Sequence, residues 1–166
     1  RGLYAMEDLW DRLPIHMAYN ITLIDRHGDG CTVMVGPDRA AAVDRPAAAT
    51  NHQGQPEWPE LARFSRSLER HERLLGLLGD AGLDGHGRAA AFLEPPLYAT
   101  DYARGFGTLY TAVWRPDLGQ VELRWPDGAF RRSLDDFSEG GCGVRYGPSG
   151  ARISSDLAHG DGNVAA

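Results

Sequence analysis

Two pairs of alternating segments, each joined by a short turn, constrain the fold of this chain more than any other feature of its sequence. Thr108–Arg115 and Gln120–Trp125 are separated only by Pro116-Asp117-Leu118-Gly119, whose proline and glycine suit a type I-like turn. Met17–Ile24 and Cys31–Val35 form the second pair, around a glycine-rich turn. Strands joined by such short turns pair in antiparallel fashion. The sequence therefore predicts antiparallel sheets.

The composition of the downstream pair predicts where each strand lies. Thr108–Arg115 is apolar on both faces, and we predict that it is buried between two layers. Gln120–Trp125 alternates apolar residues with Glu122 and Arg124, which predicts a position nearer the edge of a sheet. Residues 40–51 carry one or two further short strands around a proline.

Helical patterns lie before and between these strands. Residues 3–13 form an amphipathic segment that ends at a proline, and the longest helix begins at Pro56–Glu60. A shorter helix, at about Arg88–Leu93, follows the glycines of residues 79–87. The predicted buried stripe of the longest helix comprises Leu61, Phe64, Leu68, Leu75 and Leu78. Strands covered by such helices indicate an α+β fold.

The periodic pattern ends near Ser138. We therefore predict one domain over residues 1–137 and a disordered tail over residues 138–166. The chain begins at Arg1, directly before an amphipathic pattern and without a capping residue. This start is what a truncated expression product, a partial gene product or a proteolytically matured subunit would show.

The overall charge and the cysteine content exclude several classes of partner. The 166 residues carry a net charge of −6, which gives no long-range attraction to nucleic acid or anionic lipid. No apolar run approaches the ~20 residues of a membrane span, and no secretory signal region is present. Two cysteines do not make a disulfide framework, so we expect a cytoplasmic protein. The six histidines lie singly, so we expect no metal site.

Candidate nucleophiles are few. Cys31 follows Gly30, and a Gly-Cys junction is where self-cleaving precursors expose a catalytic cysteine. The alternative, which we favour, is a core-facing cysteine that begins a strand, because free cysteine commonly packs as a small hydrophobic residue. Cys142 lies between two glycines near the end of the periodic pattern, and no Gly-x-Ser-x-Gly elbow is present.

A polar cluster at a strand end offers the best candidate site. Asn51 and His52 follow a run of small apolar residues, and an asparagine amide there can donate to a developing oxyanion or simply stabilise a turn. Four arginines at helical spacing are predicted to line a solvated face opposite the leucines, with Glu69 supporting Arg73. The four are Arg63, Arg66, Arg70 and Arg73.

Three motifs in this order resemble one known family. They are similar to motifs of one group of acyltransferases and cysteine peptidases. The three motifs are Thr50-Asn51-His52-Gln53, the Ser-x-x-Arg of Ser67 to Arg70, and the Thr108–Val113 strand with its Pro-Asp-x-Gly turn. The family is the acyl-coenzyme A:6-aminopenicillanic-acid acyltransferase-like family of N-terminal nucleophile (Ntn) hydrolases. The resemblance runs from about Met6 to Phe137 and covers only the C-terminal half of such a protein.

The resemblance implies a partial αββα sandwich of antiparallel sheets with helices on the outside. Members cleave themselves before a cysteine, whose thiol is the nucleophile and whose freed α-amino group is the base. Asn51 resembles their catalytic oxyanion-hole asparagine, and His52, Arg66 and Arg70 resemble substrate-binding residues. The family's Gly-Cys start lies well upstream of that asparagine, whereas Cys31 precedes Asn51 by only 20 residues (51 − 31).

Two functions therefore stay open. The first is the C-terminal portion of a cysteine Ntn amidohydrolase or acyltransferase, inactive alone and completed by a missing N-terminal portion that holds the nucleophile. Its ligand would be a small-molecule amide or acyl thioester, without a cofactor. The second is a non-catalytic scaffold or binding domain derived from that fold. A homo-oligomer is an open alternative for either.

Overall fold

The computed structural model describes residues 10, 12–25, 27–45, 47–147 and 150–154, and the chain divides into two compact units, residues 1–84 and 85–166. Both units combine helices with small antiparallel sheets, which agrees with the predicted α+β class. The predicted helix over residues 3–13 lies outside the described residues except for residues 10, 12 and 13. No helix among the described residues is long and apolar enough to cross a membrane.

The first unit contains a three-stranded antiparallel sheet. Its strands are β1 (Tyr19–Ile24), β2 (Gly30–Gly36) and β3 (Arg39–Asp44), in the order β1-β2-β3. The hairpin predicted from the sequence is confirmed, and Ile21 lies opposite Val33 in its register. Only one strand forms between residues 39 and 51, so the second short strand is not present in the described part of that segment.

The central strand β2 supplies the core of this unit. Cys31, Val33 and Val35 lie on the same face of β2, and each is 2% exposed. Ile21 and Leu23 of β1 pack against this cluster. The interpretation of Cys31 as a core residue is therefore confirmed: its thiol is a buried, free cysteine.

The predicted long helix is two helices. Helix α1 (Pro59–Phe64) is followed by α2 (Ser67–Gly79), and Arg66 between them has a φ of 53° and a ψ of 35°. This left-handed backbone interrupts the helical hydrogen-bond ladder. The residues of α1 and α2 therefore cannot form one continuous helix face.

The predicted buried stripe is also wrong. All five of its members are exposed: Leu61, Phe64, Leu68, Leu75 and Leu78. The buried residues are instead mostly small: Ala62, Ser65, Ser67 and Leu77. Periodicity gives the angles between residues within one helix, but it does not give the rotation of that helix about its axis toward the sheet.

The second unit begins with α3 (Gly85–Ala91) and contains three small sheets. A sheet of two short strands, β4 (Thr100–Asp101) and β5 (Phe106–Gly107), flanks a 3-10 helix at Tyr102–Arg104. The main sheet comprises β6 (Thr111–Arg115), β7 (Gln120–Trp125) and β8 (Gly128–Ser133), and the last comprises β9 (Gly143–Gly147) and β10 (Gly150–Ser154).

The downstream hairpin is confirmed, but its burial is reversed. Strand β7 is central, because β8 pairs with its second edge, and β6 is the edge strand. Trp114 of β6 is 64% exposed, whereas Trp125 of β7 is buried and its indole donates to the Leu109 carbonyl at 2.7 Å. The polar residues of the central strand are ion-paired: Glu122 lies 3.5 Å from Arg124 and 3.0 Å from the arginine opposite it on β8.

Strands β9 and β10 lie in the segment for which the sequence predicted disorder. They pair antiparallel from Gly143↔Ser154 to Gly147↔Gly150, and Ala151 is buried. Gly150 has a φ of 103°, a conformation that favours glycine. Five-residue strands with few large apolar side chains give too weak a periodic signal for sequence analysis to detect.

Candidate functional site

The loop Thr50–Gln53 is attached to the first sheet by two side-chain amides. Asn20 of β1 donates through its Nδ2 to the carbonyls of Thr50 and His52, at 2.7 and 2.9 Å. Gln53 donates through its Nε2 to the carbonyls of Tyr19 and Val35, at 2.9 and 3.0 Å. Asn20 was not among the predicted site residues; its signal in the sequence is a polar amide within an alternating strand pattern.

A second set of hydrogen bonds attaches the same loop to the start of α2. The Thr50 hydroxyl donates to the Ser67 carbonyl at 3.0 Å, and the Ser67 hydroxyl lies 3.0 Å from Thr50 Oγ1 and 2.6 Å from His52 Nδ1. Ser67 is 0% exposed, so these bonds form without competition from water. The hydroxyl of Ser67 is therefore a structural partner of His52 and is not accessible as a nucleophile.

Replacing Ser67 with alanine is expected to lower the free energy of unfolding by about 1–3 kcal/mol, because His52 and Thr50 lose a buried partner. Ser65 is the matched control, since it is also buried but its hydroxyl makes only a 3.4 Å contact, with the Ala62 carbonyl, among the described residues. Ser65→Ala should cost less than about 1 kcal/mol. Hydrogen exchange of the β2 amides measures the free energy of unfolding of both variants. Equal decreases would show that the Ser67 hydrogen bonds add nothing to stability.

Arg70 lies one turn after Ser67 and points at the loop. Its guanidinium NH2 donates to Oδ1 of Asn51. Because a guanidinium has only donors, it fixes the amide oxygen of Asn51 on its own side, which leaves the Nδ2 group to donate elsewhere. Among the described residues no partner is found for that Nδ2 group. Asn51 itself is exposed.

This position of Arg70 corrects the expectation of a solvated basic face. Arg70 is half-buried, and its Nε is buried without a hydrogen-bond partner. Desolvation lowers the pKa of its guanidinium. Among the described residues no carboxylate lies within ion-pair distance of Arg70, so its positive charge is compensated only by the Asn51 oxygen. Arg63 and Arg73 are exposed, as expected for a solvated face.

Arg66 is not brought to Asn51. Its guanidinium forms an ion pair with Glu69 at 2.5 Å on the exposed side of α2. Glu69 was expected to support Arg73, but its carboxylate is oriented toward Arg66. The side-chain bond to Glu69 raises the pKa of Arg66, and the bond to Arg66 lowers the pKa of Glu69.

An open pocket lies over the loop. Its volume is about 350 Å³, and it is lined by Ala18, Tyr19, Asn20, Thr50, Asn51, His52, Gln53, Glu57 and Trp58. Glu57 at the pocket is paired with Arg39 at 2.8 Å, so its charge is compensated. Of the four residues proposed from the sequence, Asn51 and His52 line this pocket, Arg70 contacts Asn51, and Arg66 lies apart.

His52 is held in its neutral form. Burial lowers the pKa of its imidazole, and the nearby His71 and Arg70 lower it further. The ring of His71 stands edge-on to that of His52, with the centroids 5.4 Å apart. In the described part of the chain, no group of three or more metal-ligating side chains is found.

This pKa gives a pH dependence with a definite sign. The folded chain binds a proton at His52 more weakly than the unfolded chain, whose histidine pKa is ~6.5. The stabilisation is therefore complete above ~6.5 and is lost as the pH falls through that value toward the lowered folded pKa. An NMR titration of the His52 ring should give a pKa below that of the same residue in urea. A His52 pKa in the folded chain equal to or higher than that in the unfolded chain would show that the ring is not in a desolvated, positively charged environment.

Comparison of the chain with protein-family models, with curated proteins and with solved structures found no match.

Proposed function

We propose that this chain is the C-terminal portion of a cysteine Ntn amidohydrolase or acyltransferase. In this proposal Asn51 donates through Nδ2 to the oxyanion that forms when a thiolate attacks an amide or thioester carbonyl. The resulting acyl-enzyme passes its acyl group to water or to an amine. In this proposal the nucleophile is supplied by a segment outside these 166 residues.

The observation that carries the proposal is the hydrogen bond from Arg70 to Asn51 Oδ1. An oxyanion donor contributes to catalysis only if its orientation is fixed before the charge develops. The guanidinium provides this orientation, because it cannot bond the nitrogen end of the amide. Two other polar side chains of the loop are committed to the framework: Thr50 to Ser67, and Gln53 to the carbonyls of Tyr19 and Val35.

The charge distribution near Asn51 also favours an anion. Arg70 carries a positive charge that no described carboxylate neutralises, and the carboxylate of Glu57 is bound by Arg39. Negative charge that develops on an oxygen beside Asn51 would be attracted by the guanidinium behind the amide, in a partly desolvated site where screening is weak.

The burial of the candidate nucleophiles supports a nucleophile elsewhere. Cys31 is 2% exposed and belongs to the core of the first sheet, and Ser67 is fully buried. Cys142 belongs to the second unit and is half-buried. Neither Cys31 nor Ser67 can reach a substrate in the pocket without unfolding its surroundings.

The alternative is a non-catalytic scaffold or binding domain. The observation in its favour is that the described residues lining the pocket include no cysteine, serine or lysine. In that case the loop Thr50–Gln53 would serve the stability of the first unit, and Asn51 would be one exposed polar residue among others.

The protein prepared from the complete reading frame separates the two functions. An upstream Gly-Cys followed by an Arg-Asn-x-Asp segment, together with a cysteine-linked acyl adduct seen by mass spectrometry after incubation with an acyl thioester, supports the enzyme. A reading frame without that cysteine supports the binding domain. Cleavage of the 166-residue chain after Gly30 would instead identify Cys31 as the nucleophile, and an intact chain excludes that route.

A further inference from the structure

The hydrogen bonds around Ser67 determine which nitrogen of His52 carries the proton. The Thr50 hydroxyl hydrogen is used on the Ser67 carbonyl, at 3.0 Å, so Thr50 Oγ1 can only accept from other groups. Ser67 donates to that oxygen at 3.0 Å. Because the Ser67 hydroxyl hydrogen is used on Thr50, the 2.6 Å contact between Ser67 Oγ and His52 Nδ1 is a hydrogen bond only if Nδ1 is protonated and donates to Ser67.

The opposite tautomer satisfies fewer contacts. If His52 Nδ1 were unprotonated, Ser67 would have to donate to it, and the 3.1 Å contact between Thr50 Oγ1 and His52 Nδ1 would contain no hydrogen. The Nδ1–H form allows one hydrogen to be shared between Ser67 and Thr50. In a neutral imidazole, protonation at Nδ1 leaves Nε2 as an acceptor.

The acceptor nitrogen remains available to a ligand. Among the described residues, Nε2 of His52 has no hydrogen-bond partner. The buried side-chain atoms without a partner do not include His52 Nε2, so this nitrogen is accessible to solvent. His52 and Asn51 line the same pocket. Asn51, with a donor at Nδ2, and His52, with an acceptor at Nε2, are therefore neighbours in the lining of one pocket.

We propose that His52 is a substrate-contacting residue that selects amides, because Ser67 and Thr50 hold it in the Nδ1–H tautomer and its Nε2 accepts the substrate N–H. This assignment rests on the proposed function of Asn51, which takes the carbonyl oxygen of the same amide. A thioester or ester presents a carbonyl but no N–H, so it leaves His52 Nε2 without a ligand partner. The pair thus distinguishes two substrate classes that Asn51 alone would treat equally.

The tautomer is measurable on this chain without any activity. Long-range nitrogen–proton NMR of imidazole-labelled protein at neutral pH should show His52 protonated at Nδ1 and bare at Nε2. The double variant Ser67→Ala, Thr50→Val should shift the population toward the Nε2–H form, because both acceptors of the Nδ1 proton are gone. An Nε2–H imidazole in the unaltered chain would overturn the assignment.

The selectivity is measured on the protein from the complete reading frame, with a secondary amide and a thioester of the same acyl group. His52→Phe keeps a ring beside His71 but removes the acceptor. It should lower kcat/KM for the amide about tenfold more than for the thioester. Equal losses would overturn the selective role. If the unaltered protein turns over neither compound, the proposed function fails and the selective role of His52 fails with it, whereas the Nδ1–H tautomer is decided separately by the NMR measurement.

Discussion

Replacing Asn51 with alanine is expected to lower the turnover of the complete enzyme by about 10²–10³-fold while the first unit stays folded. The loss of rate follows from removing the side-chain amide of the loop that is not committed to the framework. The fold should persist because the Asn51 side chain is exposed and, within the described part of the chain, hydrogen-bonds only to Arg70. The measurement is kcat with one amide substrate, together with a denaturation curve for each variant.

Gln53→Ala is the matched control for this variant. It removes a neighbouring amide that donates to the carbonyls of Tyr19 and Val35. We expect it to lower stability by about 1–3 kcal/mol, because two carbonyls lose their partner. Turnover of the protein that remains folded should change far less than in Asn51→Ala. Equal losses of turnover would mean that any disturbance of the loop is sufficient, and Asn51 would lose its special role.

Replacing Leu77 with alanine is expected to destabilise the first unit by about 2–5 kcal/mol. Leu77 is 5% exposed on the buried face of α2, so its truncation removes packed methyl groups and leaves a cavity. The adjacent Leu78 is 42% exposed and gives the matched control, with an expected cost below about 1 kcal/mol. Urea denaturation measures both variants.

This pair also decides between two orientations of the helix. The stripe predicted from periodicity includes Leu78 and omits Leu77, so it requires the opposite ranking. The structure requires Leu77→Ala to be the more destabilising change. A larger loss for Leu78→Ala would mean that α2 is rotated about its axis, with Leu78 rather than Leu77 on its buried face.

Local signals in the sequence were sufficient to predict the two hairpins. The turn at Pro116–Gly119 and the alternation around Ile21 and Leu23 depend on neighbouring residues, so pairing and register followed from them. The burial of these strands was predicted wrongly because it was inferred from their composition. Strand β8 follows β7 through the tight turn at residues 126–127 and pairs with its free side, so β7 is central and β6 is left at the edge.

The candidate site was predictable only in part. Asn51 and His52 stood out as polar residues at a strand end, and the family resemblance paired them with Arg70. Helical spacing alone placed Arg70 on a solvated face. The left-handed residue Arg66 starts α2 in an orientation that turns Ser67 and Arg70 toward the loop. Such a backbone conformation is uncommon for arginine, and sequence patterns do not predict it.

A double-mutant cycle between Asn51 and Arg70 tests the central claim most directly. The complete enzyme is assayed for kcat as Asn51→Ala, as Arg70→Met and as the double variant. If Arg70 acts by fixing the amide of Asn51, Arg70→Met should lower kcat about tenfold or more in the unaltered protein and about threefold or less in the Asn51→Ala background. Losses that multiply independently would contradict this account, because they would show that Arg70 contributes to the rate without Asn51.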